Sequence, residues 1–71
     1  MKYLVVVEKS ENGFGAYAPD LPGCVAAAKD RDDIVTLVQE AIEFHIEGLR
    51  ISGETAPQPS SQSELVDVHA A

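Results

Sequence analysis

Apolar residues along this chain follow two different periods, and the change from one to the other divides it into elements. Tyr3 to Glu8 is β-branched or aromatic apart from Leu4 and Glu8, which predicts a strand. Ser10-Glu11-Asn12-Gly13 carries an Asn-Gly pair, a hairpin signal, and Phe14 to Ala18 returns as the second strand. Cys24 to Ala28 is a third strand of small residues, suited to close approach by a helix. The period then lengthens. Ile34, Leu37, Val38, Ala41, His45, Gly48 and Leu49 follow helical spacing and form one stripe, with Val35 and Ile46 on the opposite side. Asp30 is the expected N-cap, and Asp32 and Asp33 occupy the positively polarised first turn. Gly53, reinforced by Pro57, is the expected stop.

The pattern predicts an α+β fold, a small antiparallel sheet with one long helix packed on one face. Residues 1–55 form the core domain, residues 56–64 have the Pro/Ser composition of a linker, and 65–71 are a short C-terminal strand or tail. In the first strand Tyr3, Val5 and Val7 share one face, and Leu4 and Val6 the other. A single helix covers only one face of a sheet. An uncovered face bearing Tyr3, Val5 and Val7 is expected to be an oligomer interface, giving a homodimer or higher homo-oligomer. The competing expectation is that the C-terminal segment folds back over it.

Between the second and third strands lies Ala18-Pro19-Asp20-Leu21-Pro22-Gly23-Cys24. Pro19 and Pro22 fix their own φ and push the residues before them toward extended geometry, so the loop is stiff. Such a loop is expected to present Asp20, Leu21 and Pro22 to a partner; the plainer reading is a rigid turn.

Size and charge narrow the choice of function. A chain of 71 residues has room for one small core and buries only roughly 60% of its unfolded surface. The single cysteine, Cys24, excludes an internal disulfide, and neither it nor His45 and His69 has metal-site spacing, so no metal or cofactor is expected. Twelve acids against five Lys and Arg give a net charge of −7. Nucleic-acid binding needs a basic stripe, and Lys2, Lys9, Lys29, Arg31 and Arg50 are scattered, so direct binding is not expected. A basic protein partner is favoured instead. The apolar N-terminal run is too short for a membrane span and lacks a signal-peptide cleavage site; with the free cysteine it points to the cytoplasm.

Two residues invite a catalytic reading. His45 in the apolar stripe reads as a core histidine, with no nucleophile to serve. Cys24 among small apolar neighbours reads as an inert thiol.

Several strings together resemble the HicB-like antitoxin family: the Met1-Lys2-Tyr3 strand, the Asn12-Gly13 hairpin, Pro19 through Cys24, and Gln39-Glu40-Ala41-Ile42-Glu43-Phe44-His45-Ile46-Glu47-Gly48-Leu49. Gly53-Glu54 followed by Pro57 and Pro59 belongs to the same likeness. The resemblance implies a β-β-β-α-β core akin to a truncated RNase H-like fold. It also implies a non-catalytic, protein-binding role as a short antitoxin that neutralises a small basic HicA-type mRNA-cleaving toxin. On that reading Asp20, Leu21 and Pro22 form the contact loop, and Glu43 and Glu47 on the helix supply long-range attraction. Many relatives add a C-terminal DNA-binding domain; only about 12 residues follow Pro59, too few for one. The rival readings are an orphan homo-oligomeric binding protein and, as the RNase H-like likeness implies, a degenerate metal-dependent nuclease with Glu8 and Asp20 in the metal-holding role, since Asp30, Asp32 and Asp33 suit a helix start.

Overall fold

The computed structural model describes residues 1–70. Three strands, β1 (Val6–Ser10), β2 (Gly13–Tyr17) and β3 (Val25–Ala28), form an antiparallel sheet in the order β1-β2-β3, and one helix, α1 (Arg31–Ile51), lies across it. The α+β arrangement is the expected one. Ser10 pairs with Gly13, so the hairpin turns on Glu11 and Asn12, one residue earlier than an Asn-Gly turn. Gly13 is required there by contact, because a Cβ would run into the carbonyl of Ala28 on the neighbouring strand.

The first strand begins later than its composition predicts. Val6 pairs with Tyr17, the last residue of β2, and the chain then leaves the sheet at Ala18-Pro19. Tyr3, Leu4 and Val5 thus have no strand beside them. The fourth strand of the β-β-β-α-β expectation is not formed among the described residues: 54–70 contain no strand, and Leu65, Val66 and Val68 are exposed. That apolar run is short and interrupted by Asp67, too little surface to hold a lone strand on an edge.

The helix begins at an extended Asp30, which caps by position without a side-chain hydrogen bond. It ends as expected. Gly53 has φ of 80°, its N–H donates to the Arg50 carbonyl (3.1 Å), and the Glu54 N–H donates to that of Leu49 (2.8 Å).

Two buried clusters lie under α1. Ala16, Ile34 and Val38 form one, joined by Val5, Val7, Phe14, Ala26, Ala28 and Ile42. Ala18, Leu21 and Cys24 form the other, joined by Tyr3, Ala41, Ile42 and Ile46. These contacts correct two expectations. The buried side of the helix is turned toward Ile42 and Ile46, because Leu21 fills the space beneath them; Leu37 and Gly48 are left exposed. And Tyr3, Val5 and Val7 lie on the covered side, packed against the two buried clusters. The open face instead carries the cross-strand row Val6, Tyr17 and Val25, with Tyr17 39% and Val25 67% exposed.

Candidate functional site

The proline loop is built from two consecutive turns. The Leu21 N–H donates to the Ala18 carbonyl (3.0 Å), the Cys24 N–H to that of Leu21 (3.1 Å), and the Ala18 N–H closes the loop onto the Cys24 carbonyl (3.3 Å). Gly23 at φ 84° completes the second turn. Each turn advances three residues, so Ala18, Leu21 and Cys24 all point inward while Pro19 and Pro22 stay exposed. Leu21 is fully buried and is therefore a core residue rather than a contact anchor, which corrects the expected role.

Asp20 is also engaged within the chain. Its Oδ2 accepts the backbone N–H groups of Ser60 and Ser61, both at 2.9 Å, and its Oδ1 accepts the hydroxyls of Ser61 (2.6 Å) and Ser60 (3.2 Å). The Ser61 hydroxyl first, then the two backbone N–H groups, pull the Asp20 carboxyl down to about 2. Nearby, the Tyr3 hydroxyl donates to the Pro57 carbonyl at 2.6 Å. The segment read as a linker is therefore tied to the loop and to the residues that precede β1. Ser60 and Ser61 carry no local signal of this role, because the contact spans forty residues. Of the three predicted loop contacts, only Pro22 is both exposed and uncommitted.

Charge collects on the outer side of α1. Asp32, Asp33, Glu40, Glu43 and Glu47 are all exposed, and at 100° per residue they fall within about 100° of one another, opposite the core. Glu43 has no hydrogen-bond partner among the described residues; Glu47 accepts from Arg50 through Nε (3.1 Å) and Nη2, which lowers its carboxyl pKa. Two grooves flank the helix. One, of about 410 Å³, runs along the first strand past Tyr3, Val5, Ile42, Glu43 and Ile46. The other, of about 440 Å³, lies toward β3 between Val25, Ala41, Phe44, His45 and Gly48, with Cys24 at its floor. Burial pushes the Cys24 thiol up, the opposite of what a nucleophile needs. Among the described residues no three of His, Cys, Asp and Glu come together as a metal site, and Glu8 and Asp20 are not gathered with further acids. No described helix is long and apolar enough to cross a membrane.

The arrangement is an acidic helix flanked by two shallow apolar grooves, on a core braced by the proline loop. Known proteins resemble the chain in sequence and fold. A 14.9 kDa protein from the rep-hol intergenic region of Haemophilus phage HP1 is 31% identical over 67 residues, 94% of this chain and 50% of the phage protein. A UPF0150 protein of Archaeoglobus fulgidus is 44% identical over 48 residues, 66% of this chain and 70% of its own. This chain thus spans half the length of the phage relative. Among solved structures, one described as a HicA3 and HicB3 toxin-antitoxin complex matches with TM-score 0.74 and 35% identity over 84% of this chain and 70% of the other. The crystal structure of antitoxin HicB3 matches with TM-score 0.71 and 35% identity, over 84% of this chain and 44% of that one. The family described as HicB_like antitoxin of bacterial toxin-antitoxin system matches residues 3–70, and the chain belongs to the HicB-like antitoxin family.

Proposed function

We propose that this chain is the antitoxin of a toxin–antitoxin pair, binding a small basic ribonuclease of the HicA type and occluding the surface that takes RNA. The observation that carries this reading is the 35% identity, over 84% of the chain, to a structure described as a HicA3–HicB3 complex. The net charge of −7 and the acids on the outer side of α1 support it. Carboxylates set at phosphate positions compete for the Arg and Lys side chains that would hold RNA, and the long-range field speeds encounter. A metal-nuclease role for Glu8 and Asp20 has less support, since both Asp20 oxygens are already hydrogen-bonded to Ser60 and Ser61. Self-association is assigned to the open sheet face of Val6, Tyr17 and Val25, an apolar row with Tyr17 and Val25 exposed and no covering layer among the described residues.

The test is co-purification of the full chain with the product of the neighbouring small basic reading frame, followed by an RNA-cleavage assay. The expected result is a stable complex in which cleavage is suppressed in proportion to added antitoxin. Failure to bind, or cleavage undiminished at saturation, removes the proposal. Val6→Asp in a sedimentation experiment tests the face assigned to self-association, and an unchanged mass refutes it.

A further inference from the structure

We infer that α1 carries a second apolar seam, sharing Ala41 with its core stripe, that receives a helix with basic flanks from the partner. The inference rests on the antitoxin reading and names its contact surface. Leu37, Ala41, Phe44, Gly48 and Ile51 succeed one another at alternating steps of four and three, the spacing of a helix–helix seam. Large side chains alternate with small ones: Phe44 and Ile51 are each 74% exposed and Leu37 39%, whereas Ala41 and Gly48 leave room between them. A Cβ on Gly48 would meet nothing within 4 Å, so the space above it is free. The seam spans about 21 Å, enough for four turns of a partner helix.

Its edges differ in character. Asp33, Glu40 and Glu47 stand four residues before Leu37, Phe44 and Ile51 in turn, so each large apolar residue has an acid beside it. The other edge falls into the groove of about 440 Å³ lined by Cys24, Ala41, His45 and Leu49. The complementary occupant has an apolar stripe for the seam and the groove, with Lys or Arg along one flank. A second copy of this chain is disfavoured, because it brings its own acidic row and another net charge of −7 to the same seam. The occupant is therefore a helix of the basic partner.

The test uses the full chain, labelled with 15N, and two probes. One is the basic product of the neighbouring gene; the other is a synthetic three-heptad helix with leucines along its seam and lysines beside them. Calorimetry and amide shift mapping follow both titrations. Shifts should gather at 37, 41, 44, 48 and 51, and Phe44→Ala should weaken both probes about tenfold, the loss expected of an aromatic anchor, with the thermal melt unchanged. A glutamate-flanked version of the peptide should bind only to the Glu40→Lys, Glu47→Lys double variant. The seam is overturned if the lysine peptide fails to bind, or if the gene product binds while these amides stay still and those of Val6 and Tyr17 move. The antitoxin reading fails separately, when the peptide binds the seam and the gene product does not bind at all.

Discussion

The proline loop and the C-terminal half of α1 meet across the second buried cluster, yet they use their large apolar residues in opposite ways. The loop has every mark of an outward display, with two prolines and a glycine holding it stiff, and it turns Leu21 wholly inward. The helix looks like an ordinary amphipathic element, yet it leaves Phe44 and Ile51 in solvent. Stiffness does not indicate direction. In a loop of successive three-residue turns, direction follows from which positions recur every third residue, and here those are Ala18, Leu21 and Cys24. The prolines hold the loop rigid so that it fills the core.

Truncating one side chain from each region should separate them most sharply. Leu21→Ala empties a fully buried site and is expected to cost about 2–5 kcal/mol, measured by urea denaturation. That is a large share of the stability available to a small domain. Phe44→Ala removes a larger side chain from a mostly exposed position and should change stability by less than about 0.5 kcal/mol. Equal losses in the two variants would refute the contrast.

The loop's polar tip gives a local test with a pH signature. Asp20→Asn keeps the shape but removes the charge that accepts four hydrogen bonds, so it should free the C-terminal segment, seen as faster amide exchange at Ser60 and Ser61. The Asp20 carboxyl is lowered in the folded chain to about 2 from 3.8, so its contribution is fully present above about 3.8 and is lost as pH falls through about 2. Wild type and variant should therefore differ at neutral pH and converge only below about pH 2. A difference that persists there would mean the segment is held by something other than this carboxylate.

How far the sequence revealed these arrangements depends on the range of the interaction. Helix boundaries follow from local chemistry: Asp30, the early acids and Gly53 act within one turn, and all are where composition puts them. The hairpin and third strand are legible for the same reason. The facing of β1 is not, because alternation assigns residues to two sets without saying which set meets the helix. Leu37, Ala41 and Gly48 belong by spacing to either of two overlapping stripes, and only Leu21 beneath Ile42 and Ile46 decides which stripe is buried. Of the expected site residues, Glu43 and Glu47 are exposed as partner contacts require, whereas Asp20 is held by Ser60 and Ser61. That clamp joins segments forty residues apart through polar groups, and no periodicity announces it.

The smallest expected effect sets two neighbouring residues of the helix against each other. Glu43 is exposed and has no hydrogen-bond partner among the described residues, while Phe44 is the large exposed member of the apolar seam. Removing the charge with Glu43→Gln takes the net charge from −7 to −6 and touches no packed contact. Its effect should fall on association with a basic partner, a decrease of less than about twofold at low salt, because charge away from the packed contact acts through steering. The effect should fade as the screening length shrinks from about 10 Å at 0.1 M to about 3 Å at 1 M salt. Phe44→Ala should do the reverse, leaving association nearly unchanged and speeding dissociation at either salt concentration, since short-range packing determines how long a complex lasts. Surface plasmon resonance at the two ionic strengths measures both. A Phe44→Ala variant that slows association and keeps the wild-type dissociation rate would remove the seam from the interface, leaving α1 to act through its charge alone.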